Sequence, residues 1–157
     1  MNLIYKKSEW VKDRDEIEEL CGTWWEDSLF YKLYGIKYKV DMNLFETMNK
    51  SGALIYTVGR DVHGKLISCY VGIKSPYIFN TEIITASEIV WCIRKEYRNF
   101  KNLVSLIKAI QTLMEEENIF QWNLNVSNEK KYDSTGIFLE SKKYAFMDKC
   151  FTKLKGE

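Results

Sequence analysis

A mixed α/β sheet flanked by helices is the fold this sequence predicts, and three observations predict it. Runs of helical and strand character follow one another as helix, helix, three strands, helix, strand, helix, strand. The stretch from Thr85 to Leu113 reads as an apolar strand that passes through a charged turn into a long helix. With 157 residues the chain fits one domain, 1–157, large enough to bury a sizeable core.

Asn2 to Lys6 can form a short first strand. From Glu9 to Trp25 the apolar residues Trp10, Ile17, Leu20, Cys21 and Trp24 recur at helical spacing with acids between them. Trp24 to Val40 is rich in aromatic residues but has neither period, so it reads as an aromatic loop. Asp41 then offers an N-cap for a helix through Leu44, Phe45 and Met48 that closes at Gly52. Ala53 to Val58 and Lys65 to Ile73 are β-rich and are separated by a turn carrying His63, which predicts a hairpin. Ser75-Pro76 is expected to break the second of these strands, with Tyr77 to Ile84 as a connection or a strand extension into the central stretch.

In the central strand Ile89, Trp91 and Ile93 alternate with Glu88, Val90, Cys92 and Arg94, which predicts one wholly apolar face and places Glu88 at the start of the other. The helix that follows carries Leu103, Leu106, Ile107, Ile110, Leu113 and Met114 on one stripe. Phe120 to Val126 reads as a strand, Ile137 to Tyr144 as a short helix, and Phe146 to Leu154 as a closing strand or hairpin.

Composition narrows the function. Lysine plus arginine number 23 against 22 acids, so no bulk charge points to nucleic acid or to a membrane surface. Cys21, Cys69, Cys92 and Cys150 form no C-x-x-C pair and His63 is the single histidine, a pattern that argues against a metal site. Nothing at the N-terminus reads as a signal peptide and no apolar run reaches membrane-spanning length, which predicts a cytoplasmic protein with free thiols. No G-x-S-x-G, H-E-x-x-H, P-loop or G-x-G-x-x-G occurs. What remains is the turn from Lys95 to Asn102, where a strand re-enters a helix and aims backbone N–H groups outward, an arrangement suited to a phosphate or pyrophosphate.

That turn carries a resemblance. The apolar strand, then Arg98-Asn99-Phe100-Lys101-Asn102-Leu103, then the helix pair Leu106-Ile107, is similar to the cofactor-binding core of the GNAT superfamily of acyl-CoA-dependent N-acetyltransferases, whose pattern is Arg/Gln-x-x-Gly-x-Gly/Ala. Lys101 and Leu103 stand where that pattern has its last two small residues. Trp25-Glu26, Gly52-Ala53-Leu54, Ser75-Pro76, Glu96-Tyr97-Arg98, Tyr144-Ala145-Phe146 and Thr152-Lys153-Leu154 resemble, in order and spacing, members commonly encoded by bacteriophages.

The resemblance implies a mostly antiparallel sheet of six to seven strands with about four helices, acetyl-CoA as co-substrate, no metal, and a primary amine as acceptor, on a host protein in the host cytoplasm. It implies Glu88 as general base, since Glu88-Ile89-Val90-Trp91-Cys92 is similar to the strand bearing that glutamate in the histone-acetylating branch. The backbone N–H of Ile93 is implied as donor to the thioester carbonyl. Lys95 would hold the pantetheine arm, and Arg98, Asn99, Phe100, Lys101, Asn102 and Leu103 the pyrophosphate. Ser141 falls where the family has its proton-donating tyrosine, with Tyr144 nearby, and Trp25, Glu26 and Tyr31 are the candidate acceptor-binding residues. The alternative is a catalytically silent protein of the same fold that engages a protein partner or sits within a virion. A nucleic-acid role is the weakest reading, because Arg94, Lys95, Arg98, Lys101 and Lys108 equally suit the phosphates of CoA.

Overall fold

The computed structural model describes residues 4–6, 9–125 and 138–141, and the chain divides into two compact units, Met1–Leu124 and Asn125–Glu157. The first unit opens with β1 (Ile4–Lys6), followed by α1 (Trp10–Glu26), α2 (Leu29–Tyr34) and α3 (Met42–Lys50). Then come β2 (Leu54–Arg60), β3 (Leu66–Tyr77), β4 (Asn80–Ile93), a single 3₁₀ turn (Lys95–Tyr97), α4 (Phe100–Glu116) and β5 (Gln121–Trp122). In the second unit Phe138 to Ser141 are helical, inside the segment expected as a short helix.

The sheet runs β1-β2-β3-β4-β5, with every neighbouring pair antiparallel except β4 and β5, which are parallel. It is therefore the mixed, mostly antiparallel sheet expected, but with five strands among the described residues and not six to seven. The closing strand expected from Phe146 to Leu154 lies outside the described residues, and of Phe120 to Val126 only Gln121 and Trp122 pair.

Two further expectations are corrected. The aromatic stretch after Trp24 is not simply a loop: Ser28 caps α2, its Oγ accepting from the Tyr31 N–H at 3.3 Å, and Gly35 ends it at φ 63. Six residues are too few to show helical periodicity, so the local cap and the left-handed glycine define this helix. Nor does Ser75-Pro76 break β3, which runs on to Tyr77 with Pro76 opposite Ile84. β2 pairs with β3 only as far as Ile73, so Pro76 sits on a free edge where its missing N–H costs no ladder bond.

α1 lies on β3 and β4, and α3 on β2. Trp10, Ile17, Leu20 and Cys21 of α1 bury against Val58, Cys69, Val71, Val90 and Cys92, with Met42, Phe45 and Met48 of α3 packed on the same cluster. α4 contacts β2 and β3 and buries Leu106, Ile107, Ile110, Leu113 and Met114. Strand alternation puts Ile55 and Thr57 on the side away from Tyr56 and Val58, so the sheet is covered by helices on both faces. Burying each such side chain is worth about 1.5–3 kcal/mol, which makes this double-sided burial the main support of the fold. Asp13, only 2% exposed, is tolerated within α1 because Arg60 Nη2 donates to it at 2.7 Å and to Glu16 at 2.7 Å. Among the described residues no helix is long and apolar enough to cross a membrane.

Candidate active site

β4 carries most of the candidate site. Its face pattern departs from strict alternation because Val71 pairs with Val90 whereas Gly72 pairs with Glu88, leaving Ile89 as an extra residue. This bulge turns the strand out of phase. The expected wholly apolar face of Ile89, Trp91 and Ile93 therefore does not exist as such. Ile89 is 38% exposed, while Val90 and Cys92 enter the α1 core. Glu88, half-buried, lies opposite a residue without a side chain. The vacant volume over Gly72 is taken by the buried Tyr70, whose hydroxyl stands 2.5 Å from where a Cβ would be.

On its other edge β4 meets β5 only through Thr85–Gln121 and Ala86–Trp122, preceded by a Phe120 N–H bond to the Ile84 carbonyl at 2.9 Å. From Ser87 to Ile93, no described strand pairs with that edge. Arg94 N–H donates to the Ile67 carbonyl of β3 at 2.8 Å, so by alternation Ile93 directs its N–H and C=O to the open side. The Ile93 carbonyl accepts from Arg98 Nε at 2.9 Å. Its N–H thus points to the edge that no described strand pairs, roughly 13–16 Å along β4 from Glu88.

The elbow after β4 is held at several points. Arg94 donates to the Leu66 carbonyl and to Glu19, and Tyr97 donates its hydroxyl to the buried Asp61 at 3.2 Å. Arg98 Nη1 reaches Asp27 at 3.0 Å. Burial and the Asp61 carboxylate both push the Tyr97 phenol up. Asn99 caps α4, its Oδ1 accepting from the Asn102 N–H at 3.0 Å, and its carbonyl accepts from Leu103 N–H at 3.0 Å. Asn102, 5% exposed, donates its side-chain amide to the Tyr97 carbonyl at 2.7 Å. Of the expected phosphate-facing amides, those of Asn102 and Leu103 are thus already engaged within the helix start. Phe100 and Lys101 are exposed at its first turn and Leu103 is half-buried. Lys95 is also exposed, and among the described residues neither it nor Lys101 has an acidic partner, in contrast to the paired Arg94 and Arg98.

The acceptor candidates stand at the end of α1 and on α2. Trp25 packs beside Trp24 and Tyr38 and donates Nε1–H to the Ile36 carbonyl at 2.7 Å. Glu26 is exposed, and Tyr31 is 41% exposed on α2. Asp27, next in sequence to Glu26, brings this end of α1 to the elbow through Arg98. Ser141 belongs to the second unit, where its Oγ donates to the Phe138 carbonyl at 2.6 Å, and Tyr144 lies outside the described residues. Sequence reasoning missed the ties Arg98–Asp27 and Tyr97–Asp61. Each joins residues far apart in the chain, and only the Gly59–Gly64 turn signal hinted that Asp61 had a local role.

No protein-family model and no curated protein sequence matches the chain. Solved structures do. Glucosamine-6-phosphate N-acetyltransferase from Arabidopsis thaliana superposes with TM-score 0.69 at 12% identity, covering 99% of each chain. An aminoglycoside acetyltransferase from an uncultured soil metagenomic sample gives 0.72 at 12%, covering 100% of each. A ribosomal-protein-alanine N-acetyltransferase from Brucella melitensis biovar Abortus 2308 gives 0.67 at 14%, covering 99% of each. At such identities the likeness is one of architecture: this chain has the GNAT N-acetyltransferase fold.

Proposed function

We propose that the protein moves an acetyl group from acetyl-CoA to a primary amine. The observation that carries this reading is the edge of β4 from Ser87 to Ile93, which no described strand pairs and which ends in an outward backbone N–H shortly before the start of α4. A strand pair that closed along its whole length would leave no place for a thioester.

The residues present fit the phosphate end of such a ligand. The N-terminus of a 17-residue helix attracts an anion, and Lys95 and Lys101 add two cations free of acidic partners among the described residues. Lys101 extends into solvent, so it supplies charge where the family pattern has a glycine. The Ile93 N–H would donate to the thioester carbonyl as negative charge gathers on that oxygen.

An alkyl amine with a pKa of about 10.4 is almost wholly protonated at neutral pH and must lose a proton before attack. Glu88 takes that proton through water, since its place on β4 is too far from Ile93 for direct contact with the reacting carbon. The nitrogen then bonds to the acyl carbon, the carbon–sulfur bond breaks, and the thiolate takes a proton. Ser141 and Tyr144 are the candidate donors by resemblance; Ser141 would first have to release the Phe138 carbonyl. The exposed aromatics Tyr31 and Tyr34 with Trp25 and Glu26 form the proposed acceptor side. The bacteriophage-type resemblance points to a host protein, met in the host cytoplasm, as the source of the amine.

The second reading is a silent protein of this fold that binds a partner, and the replacement of both motif glycines by Lys101 and Leu103 favours it. Thermal melting separates the two. Acetyl-CoA at a hundred times its dissociation constant should add about 2.7 kcal/mol of stability, and a primary amine should then release CoA thiol. An unchanged melting curve at millimolar acetyl-CoA would replace the first reading with the second.

A further inference from the structure

Three of the four cysteines, distant in sequence, meet inside the core. Cys21 of α1, Cys69 of β3 and Cys92 of β4 place all their Sγ atoms within 4.8 Å of one another. Cys69 and Cys92 face each other across the antiparallel ladder with their sulfurs 3.6 Å apart. All three are buried and none is in a disulfide. A lone buried cysteine behaves as a small apolar side chain. Three that aim their sulfurs at one point form the donor set that a soft cation selects.

A metal–thiolate bond is about 2.3 Å long, so three sulfurs in a plane around one ion stand about 4.0 Å apart. The observed separations, from 3.6 Å to at most 4.8 Å, bracket that value. Closing the triad on an ion therefore needs side-chain shifts of less than an ångström and no movement of α1 from the sheet. Tyr38, partly buried, packs against the same core cluster. His63, the single histidine, is exposed in the β2–β3 turn.

We propose that Cys21, Cys69 and Cys92 form a binding site for a single thiophilic d10 cation, held by three sulfurs. Each sulfur that binds releases its proton to solvent, and the ion ties α1 to β3 and β4. Monovalent copper is satisfied by three sulfurs, while zinc takes a fourth ligand, which an admitted water would supply. The site does not depend on the acetyl-transfer reading: Cys92 lies on the same stretch of β4, but its side chain belongs to the core under α1 and not to the strand's edge.

The test uses the full chain, reduced and stripped with a chelator, then given either Zn(II) or anaerobic Cu(I) and desalted. We expect one ion per chain, three sulfurs at about 2.3 Å by X-ray absorption, and a higher melting temperature. Retention should fall by more than about tenfold in Cys21→Ser and in the paired Cys69→Val, Cys92→Val protein, while Cys150→Ser retains the ion. Valine suits both strand positions, so the paired variant decides the matter if Cys21→Ser fails to fold. The zinc and copper arms identify the ion. Retention of neither ion, fewer than three sulfur neighbours, or equal retention by the paired variant would overturn the site.

Discussion

Glu88 faces Gly72 across the β3–β4 ladder at the step where β4 carries Ile89 as an extra residue. The bulge and the glycine act together. The bulge re-aims the strand, and the glycine leaves a hollow opposite the carboxylate that the Tyr70 phenol fills. Bulges of this kind reposition a side chain at the cost of ladder regularity, and here the repositioned side chain is the proposed base.

If Glu88 is the base, Glu88→Gln keeps the shape of the strand and removes proton acceptance. Acetyl-CoA affinity by calorimetry should be unchanged, while turnover drops by about 10²- to 10⁴-fold. Turnover should also lose its rise with pH across the acidic limb. A variant as fast as the parent over the whole pH range would strip Glu88 of the role.

Gly72 should resist replacement by any residue with a side chain. A Cβ there would stand 2.5 Å from the Tyr70 hydroxyl and 3.0 Å from the Ser87 carbonyl oxygen. The hydroxyl can be removed but the backbone oxygen cannot, so Gly72→Ala should cost about 1–3 kcal/mol. Adding Tyr70→Phe should recover part of that loss, measured as a melting-temperature cycle of the four proteins. No coupling between the two changes would mean that the hollow relaxes freely.

The fold was legible where periodicity is long. α1 and α4 follow from apolar residues recurring over 17 residues each, and the β2–β3 hairpin from two β-rich runs about a turn. It was illegible where one residue decides. The Ile89 bulge inverts the faces of β4 without any sequence mark, and the fate of Pro76 depends on β2 having ended, which only the register shows. The charged turn of the candidate site could be read, because a strand running into a helix has few outcomes. Its supports, Asp27 for Arg98 and Asp61 for Tyr97, are tertiary contacts, and so is the cysteine triad.

Acid should loosen the elbow before it unfolds the core. Burial works against the Asp61 charge, but N–H groups of His63 and Lys65 and the Tyr97 hydroxyl outweigh it and hold the carboxyl below its ordinary 3.8. The Arg60 hydrogen bond, against burial and with help from Leu66 N–H, holds Glu16 below its ordinary 4.5. A carboxyl depressed in the folded state stabilises above its unfolded pKa and ceases to as pH falls through the folded one. Melting temperature should therefore be level near neutrality and fall below about pH 4. Asp61→Asn should melt lower at neutral pH and lose less on acidification; a parallel pair of curves would show that Asp61 is not among the groups responsible.

Arg98 makes two bonds at once, Nη1 to Asp27 and Nε to the Ile93 carbonyl, so it sets both the end of α1 and the last peptide of β4. The ion pair is more than a third exposed on both sides, and its own contribution to stability should be within about 0.2–1 kcal/mol. The effect on binding should be larger than on melting, because the Ile93 peptide is where the thioester would dock. Asp27→Ala should weaken acetyl-CoA binding less than Arg98→Ala, since the guanidinium still holds Ile93. Arg98→Lys should behave like Arg98→Ala, because an ammonium lacks the planar fork needed to reach both acceptors. Calorimetric titration of the three variants checks the order. A lysine that restores full affinity would mean that charge alone, and not the clamp on Ile93, is what the elbow requires.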